Sequence, residues 1–285
     1  MKNISKGSFL SVTIPAPKVN EQIAIANALS DVDVLITSLK KLITKKRAIK
    51  TAAMQQLLTG KKRLPPFDKA HTGYKQTELG EVPEDWEVIS LGDVAKFYKG
   101  RGLPKSDLVI GGHRECIHYG ELFTQYGEII DHVISRTNAN YDVFVSATND
   151  VLMPTSDVTP NGLATASGIK KAGIVLGGDV LIIRVDKEDL DSSFFAYLVS
   201  ISKDQIMQLV SGSTVYHLYG GDMATFKFAK PADVLEQIAI AKILSDMVRE
   251  LTGLEQRLNK TQQLKQGMMQ ELLTGRTRLI NNYQL

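Results

Sequence analysis

Cysteine is almost missing from this 285-residue chain; Cys116 is the single one. One thiol excludes a disulfide framework and any zinc centre built on cysteine, and it suits a reducing compartment. Aromatic residues are sparse at 7%, with one tryptophan, and there are five histidines. The start, Met1-Lys2-Asn3-Ile4-Ser5-Lys6-Gly7, lacks the apolar run of a secretory signal. No stretch of roughly 20 apolar residues stands out, so no membrane partner and a cytoplasmic location are expected. A net charge of one sign is also missing, because 34 Lys/Arg face 31 Asp/Glu. Hydrophobic residues at 43% and charged residues at 23% exclude disorder and collagen-like structure. The length allows two ordinary domains, or one with long helical arms.

Enzyme signatures are missing as well. There is no G-x-x-x-x-G-K-[ST] or G-x-G-x-x-G phosphate loop and no H-E-x-x-H. His71, His113, His118, His132 and His217 do not fall at metal-ligand spacings, and His113-x-x-Cys116-x-His118 reads as local packing. Leu64-Pro65-Pro66-Phe67 imitates the Asp/Asn-Pro-Pro-aromatic motif of adenine methyltransferases, but leucine offers no acceptor to a target amino group. No catalytic residue, metal or cofactor is expected.

What is present is unevenly placed. Residues 1–75 hold 14 Lys/Arg and 4 Asp/Glu, residues 76–230 hold 13 and 21, and residues 231–285 hold 7 and 6. From Val34 to Phe67 there is no acid, but Lys40, Lys41, Lys45, Lys46, Arg47, Lys50, Lys61, Lys62 and Arg63 occur. Such a run serves as a solvated helix face or attracts a polyanion or acidic surface.

The chain also repeats itself. Residues 21–64 recur at 236–279 with a constant offset of 215, and 21 of 44 positions are identical. Both copies open with EQIAIA and contain LLTG. In the first, Ile25, Leu29, Val32, Ile36, Leu39 and Ile43 step by four and three, the 3.5-residue period of a coiled coil. Ile240, Leu244, Met247, Leu251, Leu254 and Leu258 match them. The stripes continue through Ile49, Ala53 and Leu57, and through Leu264, Met268 and Leu272. Asn20 suits an N-cap, and Gly60 and Gly275 suit left-handed helix ends. Each copy therefore reads as one helix of roughly 57 Å, needing a partner to cover its stripe. Antiparallel pairing with the other copy is the cheapest solution; a general bundle core would use the same stripe.

Between the copies the texture changes. Val82-Pro83-Glu84-Asp85-Trp86 reads as a turn. Val88-Ile89, 94–98, 141–145, 151–153, 174–176 and 180–185 read as strands, and 193–201 and 203–211 as helices. The fold class is α+β, with one mixed domain between two long helices forming an antiparallel coiled coil. The expected boundaries are a remnant or strand at 1–19, helix at 20–60, linker at 61–75, domain at 76–231, helix at 235–275 and tail at 276–285.

The repeated EQ-x-I-A-I…LS-D…LLTG…R helix, with a domain opening Thr77-Glu78-Leu79-Gly80-Glu81-Val82-Pro83-Glu84-Asp85-Trp86, resembles the specificity subunit of type I restriction–modification systems. Gly212-Ser213-Thr214-Val215-Tyr216-His217-Leu218 is similar to the end of that family's target recognition domain. The resemblance implies a non-catalytic reader of double-stranded DNA, whose domains each read half of a split target. Its paired helices would space the domains and dock methyltransferase subunits, with a restriction and translocase subunit joined indirectly. A full subunit runs domain, helix, domain, helix; here one domain is complete, and residues 9–15 resemble the last strand of another. A homodimer supplying two domains is therefore expected.

On the resemblance, the DNA-reading candidates are Ser213, Thr214, Tyr216, His217 and Tyr219, although the tyrosines also suit a core. Lys99, Arg101 and Lys105 form a basic loop for phosphate or guanine, or a solvated turn. Thr155, Ser156 and Asn161 lie in a polar loop able to face base edges, or in a plain turn. The competing class is a coiled-coil interaction scaffold whose acidic middle domain binds protein. A stand-alone enzyme is the third class, disfavoured by the missing motifs.

Overall fold

The computed structural model describes residues 4–14, 16–70 and 73–279. The chain divides into two compact units, Met1–Ile49 with Met247–Leu285, and Lys50–Asp246.

Two long helices, Val19–Leu57 and Val234–Leu273, run through both units, and in the first unit their portions 19–49 and 247–273 lie side by side. Glu21 pairs with Arg278 at 2.6 Å, Asp33 with Lys265 at 2.7 Å, Lys46 with Glu250 at 2.7 Å and Arg47 with Glu255 at 2.6 Å. Numbers that rise along one helix fall along the other, so the two run antiparallel. Ile25, Ile36, Leu39, Ile43 and Leu251 are buried, and Leu29, Val32, Met247, Leu254 and Leu258 are half-buried. In the second unit Ile240 and Leu244 are buried too.

Beyond Ile43 the apolar stripe departs from expectation. Ile49 and Leu264 are exposed. Steps of three and four from Ile43 land on Lys46, Lys50, Met54 and Leu57, so Ile49 falls out of phase. Lys46 and Lys50 are half-buried there, with their ammonium groups on Glu250 and Glu128. A lysine stem can cover apolar surface while its head stays polar. In the second copy the matching place is taken by Thr261, which is buried and donates to the Arg257 carbonyl at 2.8 Å.

The helix ends repeat as faithfully as the sequence. Gly60 and Gly275 have φ of +70° and +74°. The Lys62 amide donates to the Gln56 carbonyl at 3.0 Å, and the Thr277 amide to that of Glu271 at 3.1 Å. Asn20 is not the N-cap, because the Glu21 and Gln22 amides both donate to the Lys18 carbonyl and Val19 already opens the helix. Lys6–Leu10 is a short helix capped by the Ser5 hydroxyl rather than a strand. Strands need a neighbour for their hydrogen bonds, and none among the described residues pairs with 9–14. By length and composition only, with an 18-residue window of mean hydropathy 1.2, Val19–Leu57 would pass as a membrane span. Length and composition alone do not distinguish such a span from an amphipathic helix.

The second unit is built on a five-stranded sheet ordered Ala95–Lys99, Val180–Val185, Asp150–Pro154, Ser167–Ile169, Ile129–Ile130. All neighbours are antiparallel except the last pair. A four-stranded sheet orders Ser135–Thr137, Arg114–Ile117, Val175–Leu176 and Phe144–Val145. Asp150–Pro154 is buried at every residue, as a central strand must be. Helix Ser192–Ile201 packs on the larger sheet, capped by Asp191, whose carboxylate accepts the Ser193 and Phe194 amides at 2.9 Å each. Tyr74–Thr77 and Gly80–Pro83 form a hairpin, and the expected turn follows it at Glu84-Asp85. Lys227–Pro231 closes the domain on Trp86–Ser90.

Candidate nucleic-acid interface

Strand Asp150–Pro154 leaves the sheet through Thr155 into a two-residue strand, Ser156–Asp157. That strand pairs antiparallel with Tyr216–His217, setting Ser156 opposite His217. The 211–217 turn is closed twice, by the Ser211 amide on the His217 carbonyl at 3.0 Å and the reverse bond at 2.7 Å. Gly212 stands at φ +107°, and a Cβ there would lie 2.2 Å from the Val215 carbonyl oxygen. Only glycine fits this turn. It leaves Ser213 and Thr214 exposed at the tip. The His217 and Tyr219 rings stack at 5.8 Å and 10°, with Tyr219 exposed and Tyr216 half-buried. A flat aromatic pair beside an open turn is the kind of surface on which a base edge or plane can rest.

Thr155 does not join that surface. It is buried, its amide donates to the Asp179 carbonyl at 3.0 Å, and its own carbonyl accepts the Leu218 amide. This corrects the expectation that Thr155 meets bases; it locks the two loops together. Asn161 is exposed on helix Pro160–Leu163, next to Gly162, which sits tightly against Asp157.

Asp179 brings in the basic loop, because its carboxylate lies 3.5 Å from the Thr155 hydroxyl and 3.4 Å from the Lys99 ammonium. From Lys99 the chain runs through Gly102 and Leu103, both at positive φ. The turn is held by Tyr141, whose hydroxyl accepts the Leu103 amide at 2.8 Å and donates to Asp107 at 2.6 Å. The bond to Asp107 raises the Tyr141 pKa. Arg101 is exposed and paired with Asp142. Lys105 is exposed, with no carboxylate partner among the described residues.

The structure thus joins Lys99, Ser156, Tyr216, His217 and Tyr219 around Asp179 and Thr155, with Arg101 and Lys105 on the loop leaving Lys99. Carboxylates interleave with the cations, so the domain's acidic balance reaches the candidate face itself. Asp179, Tyr141, Asp142 and Asp107 were missed in the sequence. Only the Gly177-Gly178-Asp179 turn ahead of a strand marked one of them. No group of three His, Cys, Asp or Glu side chains suited to a metal occurs among the described residues.

A family model described as type I restriction modification DNA specificity domain matches residues 83–266. The type I restriction enzyme MjaVIII specificity subunit of Methanocaldococcus jannaschii is 26% identical over 293 residues, covering 98% of this chain and 65% of its own length. The MjaX counterpart from the same archaeon is 28% identical over 286 residues, covering 97% and 62%. The chain therefore spans somewhat under two thirds of these relatives. Two crystal structures share the fold. The HsdS subunit from Thermoanaerobacter tengcongensis has a TM-score of 0.51 at 15% identity, over 97% of this chain and 64% of that one. The type I S subunit from M. genitalium has a TM-score of 0.56 at 17% identity, over 90% and 61%.

Proposed function

The chain belongs to the family of type I restriction–modification DNA specificity domains, and on that premise we propose that it is a non-catalytic DNA reader, in the cytoplasm, for one half of a split target. Its mixed domain reads the duplex, while the helical pair spaces that domain from another reader and docks methyltransferase subunits, which carry the chemistry. The observation that carries the reading is the convergence of Lys99 with the Ser156–His217 strand pair through Asp179. Lys99 supplies a cation for phosphate and the Ser156–His217 pair supplies polar and aromatic groups for base edges, the division of labour sequence-specific binding needs.

Ser156, Asn161, Ser213, Thr214, Tyr216, His217 and Tyr219 take the base-facing role. Lys105 holds phosphate directly, whereas Lys99 and Arg101 must first exchange Asp179 and Asp142 for it. Replacing Tyr216 and His217 together by alanine should weaken binding to a site selected from a random duplex library by tenfold or more, and binding to a scrambled duplex far less. That ratio corresponds to about 1–3 kcal/mol of base discrimination. Equal loss on both duplexes would remove the direct-readout role.

The acidic balance favours the second reading, a scaffold whose middle domain binds protein. Gel shifts on random duplexes with a methyltransferase present separate the two. A retarded, competable complex supports the DNA reader, and none at any duplex supports the scaffold.

A further inference from the structure

A carboxylate is the least favourable group to bring against a duplex, because phosphate repels it and contact with bases strips its water. One nevertheless stands in the middle of the candidate face. Asp179 is half-buried, with its carboxylate 3.4 Å from the Lys99 ammonium and 3.5 Å from the Thr155 hydroxyl. Lys99 is its one ion-pair partner among the described residues, and the two side chains are 60% and 46% exposed. An ion pair so open to water contributes little to stability.

The main chain around Asp179 is fixed without help from that side chain. Its carbonyl accepts the Thr155 amide at 3.0 Å, which ties it to the Ser156–Asp157 strand and so to His217 opposite Ser156. The Gly177 amide donates to the Ile117 carbonyl at 3.0 Å, the Gly178 amide to that of Gly102 at 2.9 Å, and the Val180 amide to that of Gly177 at 3.2 Å. The neighbouring acids are placed otherwise. Asp107 accepts the Tyr141 hydroxyl at 2.6 Å and Asp157 the Thr159 hydroxyl at 2.7 Å. The Asp142 carboxylate is linked only to Arg101 among the described residues. Asp179 alone of these four is bonded both to the basic loop and to the base-facing strand.

We propose that Asp179 is a base-reading residue, whose carboxylate takes the amino group of a cytosine in the major groove. This role rests on the DNA-reading conclusion and names one base of the target. When Lys99 moves to phosphate, Asp179 loses its cation and meets the duplex as an acceptor in need of a donor. The major groove offers the amino groups of cytosine and adenine, whereas guanine and thymine present acceptors that repel a carboxylate. Adenine also sets its N7 acceptor beside the amino group, against the second carboxylate oxygen; cytosine has a C–H there. A charged acceptor left unpaired costs more than a neutral one. Asp179 therefore discriminates more sharply than the Ser156 or Thr214 hydroxyls, which donate as well as accept. Its pairing with Lys99 joins the two functions. A duplex that offers phosphate to Lys99 but no cytosine to Asp179 leaves the carboxylate uncompensated, so non-specific binding is penalised.

The test is selection of bound sites from a random duplex library by the full chain with a methyltransferase present, followed by affinities on defined duplexes. The wild-type site should contain one cytosine whose replacement by thymine weakens binding about tenfold or more. Asp179→Ala should bind those two duplexes within about twofold of each other, while changes elsewhere in the site cost what they cost the wild type. Asp179→Asn should move the preference at that one position toward adenine, because a carboxamide pairs with adenine N6 and N7. The role falls if either variant keeps the cytosine preference, or if Asp179→Ala weakens discrimination at every position together, the mark of a merely structural side chain. A wild-type chain that selects a site without such a cytosine removes Asp179 alone. One that retards no duplex overturns the DNA-reading conclusion and this role with it.

Discussion

At the scale of single residues, burial and pairing set the chemistry. Cys116 is fully buried, and burial pushes its thiol up to about 11. A thiolate is the reactive species, so the native chain at pH 8 should resist a chromogenic thiol reagent and react with it once unfolded. Rapid native labelling would contradict the burial. The Arg278 guanidinium holds the Glu21 carboxyl below its ordinary 4.5. A lowered folded value means the pair contributes above the unfolded value and is lost as pH falls through the lowered one. The Glu21 carboxyl carbon shift should therefore titrate below 4.5 and move up toward it in Arg278→Ala. At Arg63 burial opposes the charge, but its bonds to Asp85 and Glu236 outweigh that and raise its pKa. Removing one partner of such a buried pair costs about 3–5 kcal/mol, which urea denaturation of Arg63→Ala should show.

At the scale of elements, the two long helices owe their stability to the covered stripe rather than to propensity. Leu39 is buried and Leu264 exposed, although both belong to the apolar series of the repeat. Leu39→Ala should lower stability by about 2–4 kcal/mol, and Leu264→Ala by no more than about 0.5 kcal/mol. Equal losses in thermal unfolding would mean that the seam runs elsewhere. The paired strands Ser156–Asp157 and Tyr216–His217 illustrate the same dependence on a partner. Two residues make no strand alone, and this one exists because the Gly212 turn and the Thr155 bonds hold its halves in register.

At the scale of the whole molecule, charge decides how binding responds to salt. The overall balance is +3, yet residues 76–230 carry 21 acids against 13 bases. Each phosphate neutralised contributes about −0.9 to the slope of log affinity against log salt. Lys105→Gln should therefore flatten that slope by roughly 0.9 on every duplex, measured by titration across a salt series. Lys99→Gln should flatten it less, because Lys99 must leave Asp179 to reach phosphate. Identical slopes for wild type and Lys105→Gln would take Lys105 out of the interface.

What the sequence by itself determined is the content that local periodicity and repetition carry. The 215-residue offset, the 3.5-residue spacing from Ile25 to Ile43, the glycine helix ends and the apolar run at 180–185 are local patterns, and each appears in the fold. What only the tertiary structure decided is where polar groups find partners across long separations. Thr155 turned inward because Asp179 and Leu218 hold its backbone, Ile49 left the seam to Lys46 and Lys50, and the repeat's two matching arginines, Arg63 and Arg278, became a buried node and an exposed pair. Hydrogen bonding and burial depend on what folds alongside, and no spacing along the chain encodes that neighbour.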